Sequence, residues 1–418
     1  MLDLKAIRNQ PQPVLDALAR RKDGSEDRLS EALGLDARRR EILPRQEELS
    51  AKQNAANDAI AQAKRDGGDA DAAIAEMKQV AAENKALKEE LAEVEEKLES
   101  VLASVPNPPD PSAADEDTEI SRWGEGASEG RDHVELAGSM IDLEAGARVA
   151  GSRFAYLKGD LVKLELAIVQ FMIDKLSGKG FTPVIPPVLV RERALFGTGF
   201  LPDTEQQIYR LEEDDLYLTG TSEVALASLH DGEILDAEDL PLRYAGISPC
   251  FRREAGAAGK DTRGIFRVHQ FEKVEMFVFC EPGKAAEEHE RILSIEESVM
   301  QDLGIPYRVV NIAVDDLGAS AAKKFDIEAW LPSQQQYREL TSCSNTTDYQ
   351  ARRLGIRVRP SGGGSPVTAH TLNGTATALG RTIIAILENH QDADGLVTIP
   401  ETLQKFGAPS TIGEAKES

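Results

Sequence analysis

Cysteine is scarce: three residues in 418, Cys250, Cys280 and Cys343, far apart and without a CxxC pair. That excludes a disulfide framework and a cysteine-rich zinc module. The six histidines show neither HExxH nor HxxxH spacing. No stretch approaches the ~18 apolar residues of a membrane span. The N-terminal MLDLKAIRNQPQPVL lacks the apolar run of a signal peptide. The expectation is a soluble cytoplasmic protein with no membrane partner. No GxxxxGK[ST] is present and no GxGxxG follows a strand, so the common nucleotide-binding loops are absent. A chain of this kind that uses ATP must bind it another way.

What is present in excess is acid. Asp and Glu number 72 against 48 Lys and Arg, a formal net charge of −24. This argues against a general nucleic-acid coat or an anionic-membrane binder, but it does not forbid a local basic patch. With 418 residues, 41% of them apolar, the chain is globular and long enough for two domains.

Residues 28–105 stand apart, with no aromatic and one proline, Pro44. Leu35, Ile42, Leu49, Ala56 and Ala63 fall seven apart. After Gly67-Gly68, one seam runs through Val80, Leu87, Val94 and Val101, and another through Met77, Asn84, Leu91, Leu98 and Val105. This is the a/d pattern of a coiled coil. Two runs of about 36 residues joined by a Gly-Gly break predict an antiparallel hairpin projecting roughly 54 Å; a dimerising coiled coil is the alternative. Residues 28–65 carry eight bases and six acids, and 69–105 carry four and ten. Arg38, Arg39, Arg40, Arg45 and Lys52 lie mostly off the apolar seam, as a solvated face or as phosphate contacts.

Pro106-Asn107-Pro108-Pro109-Asp110-Pro111 ends the helix. Residues 106–147 hold eleven acids and two bases, and predict an exposed acidic linker with little regular structure at its start. The division expected is 1–110 for the arm and 111–418 for the remainder, with that linker at its beginning. Beyond 150, helices are predicted over 161–176, 287–303 and 382–388. Strands are predicted over 184–190, 208–218, 274–280 and 307–312. Strands dominate without strict βαβ alternation, which favours an antiparallel α+β sheet.

Three segments carry chemistry. Phe251-Arg252-Arg253-Glu254, a Gly-rich polar loop, then Phe266-Arg267-Val268-His269-Gln270-Phe271-Glu272-Lys273-Val274-Glu275 read as two strands and their connection. Residues 251–270 have five bases and two acids inside this acidic chain. An arginine forms a bidentate clamp on phosphate, and Phe271 offers a face for a base. Residues 371–381, rich in small side chains, run into a helix opened by Arg381. Residues 180–189 place Pro183, Pro186 and Pro187 in a strand after a helix, the pattern of a sheet edge.

Together, and in order, these segments resemble the three signature motifs of class II aminoacyl-tRNA synthetases. Pro187 stands at the motif 1 proline, F-R-x-E and the returning strand form motif 2, and Arg381 is the motif 3 arginine. FGTGFLP (196–202), LTGTSEVALASLH (218–230) and ELTSCSNTTDYQARR (339–353) narrow the resemblance to seryl-tRNA synthetases of the common, zinc-free type. The match spans essentially the whole chain.

The resemblance implies an N-terminal tRNA-binding hairpin and a catalytic domain built on an antiparallel sheet flanked by helices. It implies ATP-dependent activation of L-serine, transfer to tRNA-Ser, Mg²⁺ but no zinc, and a homodimer formed through the motif 1 region around Pro187. Thr221 and Glu223 would receive the serine α-amino group, with Ser222 also at the serine site, and Glu275 and Thr375 would receive its hydroxyl. Arg252 would clamp the serine carboxylate and the α-phosphate. Arg253, Glu254, Val268, Phe271 and Arg381 would hold ATP. Glu339 and Ser342 would bind Mg²⁺, with Leu340 and Thr341 lining the ATP site between them. Arg252, Glu254 and Arg381 would be catalytic. Arg38, Arg39, Arg40, Arg45 and Lys52 would contact tRNA. The family usually has Ala where Ser222 stands and Ser where Thr341 and Thr375 stand. Two rival readings are weighed. A synthetase-like enzyme loading a carrier instead of tRNA tends to lack the long arm. An inactive coiled-coil scaffold is opposed by intact Arg252, Glu254, Glu275 and Arg381.

Overall fold

The computed structural model describes residues 2–66, 71–202, 207–256, 259, 261 and 263–413. The Gly67-Gly68 break, the Ala63 side chain, and Ala257, Ala258, Lys260 and Thr262 of the long loop lie outside the described residues. The chain divides into two compact units, Met1–Pro106 and Asn107–Ser418.

In the first unit, short helices Leu4–Ile7 and Gln12–Ala19 precede α1 (Ser25–Arg65) and α2 (Asp71–Ser104). Ion pairs join Glu31 to Lys97, Arg38 to Glu90 and Arg45 to Glu83. Each step of seven forward on α1 is a step of seven backward on α2, so the helices run antiparallel in a heptad register. Ile42, Leu49 and Leu98 are buried as the seams predict. The second seam of α1 is polar where it meets α2. The Gln46 side-chain amide donates to Asn84 Oδ1 at 3.1 Å, and Asn84 Nδ2 donates to Gln53 Oε1 at 2.8 Å. This layer is why only one apolar seam is visible in the first run.

The second unit is built on an eight-stranded sheet: β1 (Thr118–Trp123), β2 (Thr182–Val184), β3 (Leu242–Phe251), β4 (Gln270–Cys280), β5 (Tyr307–Asn311), β6 (Lys323–Leu331), β7 (Gln336–Thr347) and β8 (His370–Ala378). Their order is β1-β5-β6-β7-β8-β4-β3-β2. Every pairing is antiparallel except β2 with β3. Pro183, which cannot donate to a ladder, stands in edge strand β2. Three helices matter most: α3 (Asp160–Gly178), α4 (Ala285–Asp302) and α5 (Leu379–Asn389).

Strand alternation assigns the two faces. Val274, Met276, Val278 and Cys280 of β4 share one core with Leu164, Ile168 and Met172 of α3, Ile292 and Val299 of α4, and Ile383 and Ile384 of α5. On the opposite face, Phe277 and Phe279 pack with Leu226, Leu354 and Ile356. Phe271, Lys273 and Glu275, on that same face, border a cavity.

The expected helices are present. Two of the expected strands are not single. Pro186 and Pro187 split 184–190, leaving Leu189–Val190 to pair with Leu216–Leu218. The stretch 208–218 is a hairpin, Tyr209–Leu211 against Leu216–Leu218, turning at Asp215 with φ +52°. Nor is 106–147 wholly exposed. Asn107 is buried, its side-chain amide donating to the carbonyls of Ser320 and Thr346 at 2.9 Å, and β1 then joins the sheet edge. No helix among the described residues is long and apolar enough to cross a membrane.

Candidate active site

The uncovered face of the sheet floors a cavity of about 440 Å³. β4, β8 and β7 supply its floor, and the chain around 220–223, 252–254 and 265–268 supplies its walls.

One end is a buried polar cluster centred on Lys273. Its ammonium pairs with Glu275, donates to Thr221 Oγ1 at 2.8 Å, and lies 3.5 Å from Thr375 Oγ1. Thr375 in turn donates to Glu275 Oε2 at 3.2 Å. Glu275 is 1% exposed and Lys273 6%. Next to them, Glu223 opens a short helix, Glu223–Ala227. Its Oε1 accepts from Gln350 Nε2 at 2.8 Å and Asn373 Nδ2 at 3.0 Å. Burial and the charge of Glu275 push the Glu223 carboxyl up to about 7, against the pull of Lys273. A ligand bringing its own ammonium reverses that shift.

The other end gathers arginines. Arg252 donates from Nε to the Gly220 carbonyl at 3.2 Å, and its guanidinium lies 5.1 Å from the Phe271 ring centre. Arg267 pairs with Glu254 at 2.7 Å. Arg338 and Arg381 both stand over Phe266, at 4.1 and 4.6 Å. Arg381 also lies 3.5 Å from the Glu339 carboxylate. Burial pushes the Glu339 carboxyl up, but Arg381, Lys324, Arg252 and Arg267 prevail and hold it below its ordinary value. So many guanidiniums in one cleft of an acidic protein suit a polyanion. Glu339 and Ser342 offer hard oxygen donors beside them, the set Mg²⁺ takes when phosphates complete its shell.

The structure therefore brings Thr221, Glu223, Arg252, Glu254, Val268, Phe271, Glu275, Glu339, Leu340, Ser342, Thr375 and Arg381 to one cavity. Three other expected residues do not present side chains there. Ser222 turns beneath the wall, where a Cβ on Gly246 would approach its Oγ to 3.0 Å. Thr341 points to the helix side of the sheet and donates to Glu296 Oε2 at 3.0 Å. Arg253 is exposed and not among the cavity's lining side chains. Sequence reasoning missed Lys273, Asn373, Gln350, Arg267 and Phe266. Lys273 and Arg267 had a signal, as cations inside the motif 2 segment; Gln350 had none.

In the first unit, every expected tRNA contact already has an acidic partner. Arg38 pairs with Glu41 and Glu90, Arg39 and Arg40 with Asp36, Arg45 with Glu83, and Lys52 with Glu48. Asp36 is buried, but the pairs of Arg38, Arg45 and Lys52 are exposed on both sides, and such pairs contribute little in water.

Residues 207–390 match the family described as the tRNA synthetase class II core domain (G, H, P, S and T). Residues 1–109 match the seryl-tRNA synthetase N-terminal domain. A serine–tRNA ligase of Rubrobacter xylanophilus is 46% identical, and one of Nitrosopumilus maritimus 42% identical, each over 100% of both chains. The crystal structure of seryl-tRNA synthetase from Pyrococcus horikoshii complexed with ATP matches with a TM-score of 0.92 at 41% identity, over 100% of both chains. The cytoplasmic serine–tRNA ligase of Naegleria fowleri in complex with AMP matches with a TM-score of 0.83 at 32% identity, over 97% of this chain and 96% of that one. A chain with a helical hairpin followed by a polar cavity on an antiparallel sheet is thus matched along its full length: it belongs to the seryl-tRNA synthetase family of class II synthetases.

Proposed function

We propose that this chain is a serine–tRNA ligase that activates L-serine with ATP and transfers the seryl group to the 3′-terminal adenosine of tRNA-Ser. The observation that carries the proposal is the position of Arg252. It lines the same cavity as the acidic pair Glu223 and Glu275 and the arginines Arg267 and Arg381. A small zwitterion and a polyphosphate placed at the two ends would meet at that guanidinium. ATP in the related Pyrococcus horikoshii structure supports the nucleotide.

Serine would bind with its ammonium on Thr221 and Glu223 and its hydroxyl between Glu275 and Thr375. Lys273 pairs with Glu275 and so holds the hydroxyl's acceptor in place. A site built to bond that hydroxyl rejects alanine, because Glu275 and Thr375 would be left unpaired toward the ligand. The adenine would stack on Phe271 opposite Arg381, with Glu254 accepting from its amino group and Val268 giving backbone contacts. Glu339 and Ser342 would hold Mg²⁺, which when bound offsets the charge of the polyphosphate.

One serine carboxylate oxygen attacks the α-phosphorus. The bond to the bridging oxygen breaks, and pyrophosphate leaves with the electron pair. Arg252 contacts both reacting groups, so it aligns them and receives the charge that develops. The terminal adenosine hydroxyl of tRNA then attacks the seryl carbonyl; an ester forms, AMP leaves, and the hydroxyl proton is released. The arm would hold tRNA through Arg38, Arg39, Arg40, Arg45 and Lys52, reading shape and backbone as RNA-binding surfaces do. The motif 1 region would close a homodimer. Ile185, two residues from Pro187, is 85% exposed, and Leu166 on α3 is 64% exposed. The enzyme would work in the cytoplasm, with its tRNA.

Three outcomes are expected. Arg252→Ala lowers serine-dependent ATP–pyrophosphate exchange by about a hundredfold or more; exchange at the wild-type rate in that variant contradicts the clamp. Serine needs an ionised Glu223, and the free carboxyl titrates at about 7. Serine kcat/KM in exchange therefore rises as pH climbs through about 7, and Glu223→Gln abolishes that rise. Arg38→Glu combined with Arg45→Glu lowers tRNA charging by roughly tenfold and makes it less salt-sensitive, because fewer phosphates are neutralised, while pyrophosphate exchange keeps its wild-type rate.

A further inference from the structure

Glu339 and Ser342 are three residues apart on one strand, and a regular strand sends such a pair to opposite faces. Here both border the cavity. The cause is a β-bulge. Ile327 of β6 pairs with Thr341 and Glu328 with Glu339, which leaves Leu340 as an extra residue in β7. Leu340 enters the core and Thr341 also turns to the helix side, so the parity of the strand changes between 339 and 342.

β8 carries a similar irregularity. Val274 of β4 pairs with Thr377 and Glu275 with Thr375, leaving Ala376 extra, and both Thr375 and Ala378 border the cavity. In each bulge the next residue is a threonine held from beneath by a helix. Thr377 Oγ1 lies 2.7 Å from Thr382 Oγ1 on α5. Thr341 Oγ1 donates to Glu296 Oε2 on α4 at 3.0 Å.

Glu296 is the unusual member of this arrangement. It is fully buried, and its Oε1 has no hydrogen-bond partner among the described residues. Gly374 admits it: a Cβ there would lie 2.7 Å from Oε1 and 2.3 Å from Ile292 Cγ2. Burial raises its carboxyl well above the ordinary range, with Glu275 and Asp326 adding to the shift. A buried acid without a cation is a poor way to fill a core. We propose that Glu296 is a positioning residue, which pins Thr341 and thereby the bulge that keeps Glu339 and Ser342 together on the cavity face. This rests on the reading of that face as the nucleotide and Mg²⁺ site. Glu296 touches no substrate. It acts through the backbone of β7, and its contribution is to geometry on that strand alone.

The test uses the full-length protein and the variants Glu296→Gln, Glu296→Met and Thr341→Val. Mn²⁺ binding in the presence of ATP is followed by electron paramagnetic resonance, serine binding by calorimetry, stability by thermal melting, and the bulge itself by amide exchange over 338–344 without ligand. Gln has the shape and the acceptor of the neutral acid, and it retains wild-type values. Met and Val remove the pin. They weaken Mn²⁺ binding with ATP about tenfold and speed amide exchange over 338–344. Serine affinity stays at wild type in both variants, and melting temperature stays at wild type in Glu296→Met. Unchanged amide exchange in both Glu296→Met and Thr341→Val overturns the inference, whatever the protein binds. So does a parallel fall of Mn²⁺ affinity, serine affinity and melting temperature, which is what a general packing role produces. Failure of the wild-type protein itself to bind Mn²⁺ with ATP overturns the nucleotide reading, and the inference with it; only that outcome appears without any substitution.

Discussion

A strand shows alternate side chains to opposite faces of its sheet, and here one face is committed to three helices. Val274, Met276 and Val278 of β4 are spent on that core. Only Phe271, Lys273 and Glu275 remain for chemistry, and they reach the cavity at alternate positions. The same constraint acts on β7 and β8, where Glu339 with Ser342, and Thr375 with Ala378, reach the open face at odd spacing only because a bulge shifts the parity. The site is therefore a consequence of which face the helices leave uncovered, corrected at two points by one extra residue.

The second constraint is charge. Glu223 and Glu275 share a buried pocket, and two carboxylates at close range are costly unless compensated. Lys273 supplies one compensating charge, held by Glu275 and Thr221. The raised Glu223 carboxyl marks the shortfall that remains. A ligand carrying an ammonium completes the balance. At the other end the excess is positive, and a polyphosphate completes it. The net acidity of −24 is thus no measure of what the cavity attracts. The field that matters is local, and guanidiniums in a low-dielectric cleft outweigh carboxylates dispersed elsewhere in water.

Much of this was legible in the sequence, because the informative residues are close together in the chain. Arg252 and Glu254 directly follow β3 and Phe271 and Glu275 lie on β4 across one loop, and their segments carry the resemblance. The heptads of the hairpin are local in the same way. What was hidden depends on pairing between distant segments. Position between Glu339 and Ser342 suggests that Leu340 and Thr341 both line the ATP site; Leu340 does border the cavity, but a bulge turns the Thr341 side chain to Glu296. Ser222 was placed with its neighbours Thr221 and Glu223, yet it faces Gly246. Gln350 reaches Glu223 across 127 residues of sequence. The hairpin within 208–218 escaped because its turn, at Asp214-Asp215, lacks the usual glycine.

Serine specificity would come from a pocket that takes an ammonium and a hydroxyl at once. The most direct measurement is aminoacylation of purified tRNA-Ser by the wild-type chain with serine, threonine and alanine in parallel. Charging with serine is expected, with exclusion of threonine by the buried pocket and discrimination against alanine by about 10⁴-fold. Charging with alanine at a rate near that of serine would contradict it, because Glu275, Thr375 and Lys273 would then not be reading the hydroxyl.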